Sequence, residues 1–244
     1  MKQTLFITGT DTGVGKTVLT ALLVKFLRGR GVNAAALKPI CSGNRDDART
    51  LHAAMDGILS PDEINPWHFR APVAPLLAAR RENKRLKLSQ VLAHVRAMQK
   101  RFDVLLVEGA GGLLSPLGVC SGGLRPSQSS ALTERRYKRS FDSRDLILET
   151  HATPIVVAQN KLGAVNQILL TLEALPEKFR AEAKVVLVSP PKPDSATNSN
   201  TKLLERSLDP AKVFSLPWFG EKFDTAEALK NSRAQRMLRA LAQT

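Results

Sequence analysis

The chain has 244 residues, 43% of them hydrophobic, which suits one domain with a sizeable buried core and excludes global disorder. No apolar run approaches the ~18–20 residues that span a bilayer. The two cysteines, Cys41 and Cys120, exclude a disulfide scaffold and a four-cysteine zinc site. Thirty-six Lys and Arg against 22 Asp and Glu leave a net charge of +14, a balance that suits small anions as well as nucleic acid. One Tyr and two Trp offer little for a platform that stacks single strands. His52, His68, His94 and His151 are scattered and form no metal-binding spacing.

In chain order, Lys2–Thr8 reads as a strand centred on Leu5, Phe6 and Ile7, without the long apolar region of a signal peptide. A soluble, cytoplasmic protein is therefore expected. A Gly/Thr/Asp loop occupies 9–17, and Val18–Arg28 carries Val18, Leu19, Leu22, Leu23, Phe26 and Leu27 at helical spacing before Gly29 and Gly31. Val32–Leu37 reads as a second strand and Lys38–Asn44 as a polar turn. Asp46–Met55 reads as a helix and the Pro-rich 60–75 as irregular. Leu88–Met98 has helical spacing, and Val104–Val107 is a continuous apolar run of the kind found in buried parallel strands. Ile155–Val157 and Val185–Val188 read as further strands with a helix, Ala164–Leu175, between them. Pro190–Asn200 reads as a turn-rich linker, and helical patterns fill much of the remainder.

Strands alternating with helices imply an α/β fold: a doubly wound, mainly parallel sheet with helices on both faces, in one domain over 1–244. Residues 119–140 stand apart. They hold five Lys/Arg against one Glu, a net +4, with no apolar period, and are expected to form a mobile basic insertion loop.

The strongest signal is the segment GTDTGVGKT at 9–17 between strand and helix. Gly9, Gly13 and Gly15 let the backbone turn and present N–H groups to phosphate oxygens, and the helix points its positive end at the same anion. Lys16 is placed for the β- and γ-phosphates and Thr17 for Mg²⁺. Thr10 takes the usual first-glycine position, so the spacing departs slightly from GxxxxGK[ST]. Glu108, at the end of a buried strand and before an AGG run, suits a second metal ligand. Asp46 and Asp47 are each placed to reach the same ion, and spacing alone leaves the choice open. Lys38 sits at the carboxyl end of the second strand, the ligand edge of an open sheet. There it is either a charge-stabilising group for phosphoryl transfer or a surface lysine.

GTDTGVGKT, LKPICSG, DDA, NPWHFRAPVAP, VEGAGGLLSPL, KLGAVNQ and LPW follow in an order that resembles the dethiobiotin synthetase family over about 1–118 and 141–220. The resemblance implies a P-loop NTPase-like enzyme that converts 7,8-diaminopelargonate and CO₂ (or bicarbonate) with ATP and Mg²⁺ into dethiobiotin, ADP and phosphate. It implies roles for Thr12, Lys16 and Lys38 in catalysis and for Gly13, Val14, Gly15, Lys16, Thr17, Val18, Glu108 and Pro217 around the nucleotide. Thr17, Asp47 and Glu108 become the Mg²⁺ ligands, and Thr12, Lys38, Ser42 and Asn166 the substrate contacts. A homodimer is implied, with Asn166 in the segment that receives the substrate carboxylate from the partner subunit, and no membrane or specific nucleic-acid partner. Partition and nitrogenase-type ATPases carry a signature lysine where this chain has Asp11, which counts against them.

Two features depart from the family pattern. Residues 119–140 interrupt it, and Ser189 stands where many members have an adenine-reading Asn. The competing expectations are a P-loop ligase acting on another substrate, a basic ATPase that binds nucleic acid through the 119–140 segment, and a synthetase disabled by that segment.

Overall fold

Apolar runs become the strands of one sheet. The computed structural model describes residues 2–120, 140–220 and 223–242. Strand β1 (Gln3–Gly9) leads through the phosphate loop into helix α1 (Lys16–Arg28), and β2 (Ala34–Leu37) follows. Next come β3 (Ile40–Ser42), α2 (Asp46–Ala54), α3 (Pro61–Ile64), β4 (Trp67–Phe69), α4 (Pro75–Arg81), α5 (Leu88–Arg101) and β5 (Val104–Glu108). A short pair, β6 (Gly118–Val119) and β7 (Ser140–Phe141), precedes α6 (Ser143–Thr150), β8 (Thr153–Gln159), α7 (Ala164–Glu173), α8 (Glu177–Glu182) and β9 (Lys184–Val188). The chain continues with α9 (Ser195–Ser207), a single 3₁₀ turn, β10 (Val213–Leu216), α10 (Thr225–Ala228) and α11 (Ser232–Ala242).

Six strands form a wholly parallel sheet in the order β10-β9-β8-β1-β5-β2. The winding reverses at β1: β2 lies to one side beyond β5, and β8, β9 and β10 lie to the other. Right-handed crossovers then set α1 on one face and α5, α6 and α7 on the other. In keeping with this, α1 packs with α2, α10 and α11, while α5 packs with α6. Leu5, Phe6, Ile7, Leu105, Leu106, Val107, Val156 and Val186 are almost wholly buried between these layers. A reversal of winding opens a crevice at the carboxyl ends of the flanking strands, and that is where the phosphate loop lies.

The main strands and helices fall where the periodicity places them, with ends shifted by one to three residues. The turn and linker readings need correction. The expected polar turn 38–44 contains β3, and the expected irregular stretch 60–75 contains α3, β4 and the start of α4. Strands β3 and β4 are three residues each and pair in parallel across a long sequence separation, so no local pattern announces them. Helix α3 rests on a Ser60–Glu63 capping box. The expected linker 190–200 runs into α9, because Asp194 accepts the Thr197 N–H at 2.7 Å and caps a segment whose Ser and Asn residues read as turn formers. Strand β10 is a further strand, in a stretch to which the sequence reading assigns no particular element.

Val119 and Ser140, the ends of the expected insertion loop, pair antiparallel in β6 and β7. The rest of that loop, 121–139, lies outside the described residues. The pairing is close: a Cβ on Gly118 would run into the Leu86 carbonyl oxygen and the Phe141 ring.

Next to this pair, Asp142 caps α6: its carboxylate accepts the Arg144 and Asp145 N–H groups, and the Asp145 carboxylate accepts the Asp142 N–H. Burial and the neighbouring Asp145 carboxylate push the Asp142 pKa up to about 6. The folded state then binds this proton more tightly than the unfolded chain, so the contribution to stability is present at low pH and is lost as pH rises through about 4 to 6. Asp142→Asn keeps the capping acceptor and removes the charge. Thermal unfolding measured from pH 4 to 8 is expected to show a variant more stable than the parent at pH 8, with the difference vanishing near pH 4.

Candidate active site

The phosphate loop is held open by its glycines. Gly13 and Gly15 adopt φ of 73° and 97°, the left-handed region where a side chain is strained. A Cβ on Gly15 would also come within 3.0 Å of Val188 Cγ2. The loop's free N–H groups and the start of α1 therefore face the crevice. Lys16 extends into it and donates to the Asp11 carbonyl oxygen at 2.7 Å. Burial, and then the nearby Lys38 charge, lower the Lys16 pKa to about 8, a cost that anionic phosphates would offset.

Three elements meet beside this lysine. Strand β2 delivers Lys38, β5 delivers Glu108 and α2 delivers Asp47. The Lys38 Nζ lies 2.6 Å from Glu108 Oε1 and 2.9 Å from Asp47 Oδ2, and donates to the Gly109 carbonyl at 3.1 Å. Burial opposes the Lys38 charge, but the two carboxylates outweigh it and raise the pKa, so this lysine is a fixed cation. Burial likewise acts against the Asp47 charge, and Lys38 with Thr17 reverses that and lowers its pKa.

The Thr17 hydroxyl lies 2.9 Å from Asp47 Oδ1 and 2.8 Å from Glu108 Oε1. It has one hydrogen for two carboxylate oxygens. Glu108 Oε2 is buried with no partner. A hydroxyl and two carboxylates that converge, with an unmet acceptor among them, suit a hard divalent cation that takes oxygen ligands. Among the described residues, no group of three His, Cys, Asp or Glu side chains is placed to hold a metal.

A cavity of about 720 Å³ collects Thr12, Gly13, Gly15, Lys16, Thr17, Val18, Lys38, Ser42, Asp47 and Glu108. Val14 is buried and outside its lining. Asn166, exposed on α7, and Pro217, just after β10, also lie outside it. The lining further includes Cys41, Asn44, the 72–75 wall, Ala110, Gly111 and Ser115. Their motifs are visible in the sequence, but nothing in residue type singles them out. Ser115 accepts from the Gly112 N–H at 3.0 Å and so closes the glycine turn after β5.

Residues 3–120 match a family model described as an AAA domain. The chain is 39% identical over 187 residues to an ATP-dependent dethiobiotin synthetase BioD of Anaeromyxobacter sp. (strain Fw109-5), with 75% of each chain covered. It is 36% identical over 219 residues to the protein of the same name from Anaeromyxobacter sp. (strain K), covering 88% of this chain and 89% of that one. The Thermodesulfovibrio yellowstonii protein of that name is 33% identical over 231 residues, with 91% of each covered. The chain belongs to the dethiobiotin synthetase family. Coverage near nine-tenths carries the likeness past the phosphate loop into the carboxyl-terminal half.

In this chain, Gly15→Ala places a side chain in left-handed backbone against Val188. A stability loss of about 1–2 kcal/mol is expected, with weaker ATP binding. Thermal unfolding and nucleotide titration check the two effects.

Proposed function

We propose that the chain uses ATP and Mg²⁺ to carboxylate 7,8-diaminopelargonate and close the ureido ring, giving dethiobiotin, ADP and phosphate. The observation that carries this reading is the fixed Lys38 cation beside the phosphate loop, in one cavity with Thr17, Asp47 and Glu108. The relatives are ATP-dependent dethiobiotin synthetases by name, which supports the same nucleotide and product.

A substrate amine takes up CO₂ to form a carbamate. A carbamate oxygen attacks the γ-phosphorus, the bond to the β–γ bridging oxygen breaks and ADP leaves. The second amine attacks the carbonyl carbon of the resulting anhydride, and the carbon–oxygen bond to phosphate breaks. Lys38 holds its ammonium where charge collects between carbamate and γ-phosphate, and Lys16 leaves the Asp11 carbonyl for the phosphates. The loop N–H groups from Gly13 to Val18 orient the phosphate chain, and Thr12 faces the reacting groups. Ser42 offers a hydroxyl to the substrate. Thr17, Asp47 and Glu108 would hold Mg²⁺, which neutralises the transferring phosphoryl oxygens when bound. Pro217, just beyond β10, would flank the adenine.

Asn166 fits this scheme only from a second copy. It is exposed, as are Leu170 on the same helix and Leu162 in the turn just before it, at 63% and 84%. We therefore read the chain as a homodimer in which Asn166 serves the partner's site. No helix among the described residues is long and apolar enough to cross a membrane. The need for ATP suits the cytoplasm.

Mass-spectrometric detection of dethiobiotin from diaminopelargonate, bicarbonate and Mg-ATP tests the reaction. Lys38→Ala is expected to lower kcat by about 100-fold or more with ATP affinity little changed, and normal turnover in that variant overturns the assignment. Product made only after 121–139 is replaced by a short turn assigns the loss to that segment. Tight, steeply salt-dependent binding to DNA, with no product, favours the nucleic-acid ATPase instead. For the dimer, Leu170→Glu is expected to give monomers by light scattering and to lower activity, with Asn166→Ala raising KM for diaminopelargonate in an intact dimer.

A further inference from the structure

We propose that Asn65, working with Arg45, is a positioning residue that holds Lys38 and Asp47 in register with each other. The inference rests on the role given above to those two side chains. Lys38 and Asp47 lie at the two ends of a ten-residue segment, 38–47, that leaves the sheet, forms β3, turns at Gly43 with φ of 90° and enters α2. Their head groups must meet within 2.9 Å. The first turn of α2 carries an exposed Asp46–Arg49 pair, but Arg45, which precedes the helix, makes no side-chain cap to it.

Asn65 supplies the missing tie. It is only 1% exposed and ends α3. Its side-chain N–H groups donate to the Lys38 carbonyl at 2.7 Å and the Pro39 carbonyl at 3.4 Å. Its side-chain oxygen accepts from Arg45 Nε at 3.2 Å, and its backbone carbonyl accepts from the same guanidinium at 2.9 Å. That guanidinium also reaches the Pro61 carbonyl at 3.1 Å and Asp62 at 2.9 Å. One buried amide thus bonds the start of the segment directly and its end through Arg45. The backbone extends the same seam, with Lys38 N–H donating to Ile64 and Trp67 N–H to Pro39. Neither Asn65 nor Arg45 lines the cavity. Asn65 therefore acts through Lys38 and Asp47, and not on substrate or nucleotide.

Cys41 reports on the segment. It lies between the two ends, is 5% exposed, and its thiol donates to the Asn44 carbonyl at 3.0 Å. Asn65→Ala and Arg45→Met are compared with the parent, all in a Cys120→Ser background, and thermal unfolding shows which are folded. Cutting the tie is expected to speed iodoacetamide labelling of Cys41 in the nucleotide-free protein by about tenfold, since local opening limits access to a buried group. It is also expected to lower kcat by about tenfold or more, the scale of a small misplacement, while KM for ATP moves by no more than about twofold, because the phosphate loop is untouched. On an Asp47→Asn background the same cuts should lower kcat little further.

An unchanged kcat, an equal change in kcat and KM for ATP, or a full additional loss on Asp47→Asn overturns the proposal. If Asn65→Ala does not fold, Arg45→Met decides by the same criteria, since that side chain is 28% exposed. If the parent makes no dethiobiotin, the proposed reaction fails separately, and an unchanged Cys41 labelling rate overturns the tie on its own.

Discussion

A buried ammonium between two carboxylates organises this molecule. Lys38 and Glu108 come from strands that are neighbours in the sheet, and both are almost wholly shielded from water. Losing one member of such a pair leaves the other uncompensated, at about 3–5 kcal/mol. The carboxyl edge of the sheet must therefore close around them, and α2 must arrive with Asp47 in reach. Counting Lys38, Glu108 and Asp47 together, the cluster carries a net charge of −1. Thr17 sits at its open side beside the phosphate loop. That surplus of negative charge is what a divalent ion bound with phosphates would meet.

The phosphate loop and this cluster divide the work by distance from the sheet. The loop is backbone chemistry: glycines in left-handed conformations, and N–H groups at the end of a helix dipole. The cluster is side-chain chemistry, set by strand register. Glu108 Oε1 serves both Lys38 and Thr17, so it links the parallel sheet to the first turn of α1. The phosphate loop and the buried Lys38 ammonium are thus joined through one oxygen.

Much of this was legible from residues alone because it is local. GTDTGVGKT names a loop between a strand and a helix, and the apolar runs name the central strands. Glu108 could be read from its place at a strand end, whereas the position of Lys38 left it either a charge-stabilising group or a surface lysine until the family resemblance was weighed. The choice between Asp46 and Asp47 came only from family resemblance. In the structure Asp47 turns inward to Lys38, while Asp46 pairs outward with Arg49. What escaped the sequence was set by contacts far apart in the chain. The pairing of β3 with β4, the lining residues Cys41 and Ser115, and the Asn65 tie all depend on segments tens of residues away. Helix α9 escaped for the opposite reason. Its Ser, Thr and Asn content argues for turns, and a single aspartate cap with tertiary packing prevails.

The antiparallel pair of β6 and β7 has a consequence for how this gene can change. It brings Val119 and Ser140 side by side, so whatever joins them starts and finishes at one place on the surface of the fold. The length of that connection is thereby uncoupled from the sheet. Each doubling costs only about 0.6 kcal/mol of closure entropy, and no strand must shift to accommodate it. Residues can therefore be gained or lost between Val119 and Ser140 without altering the register of the six-stranded sheet.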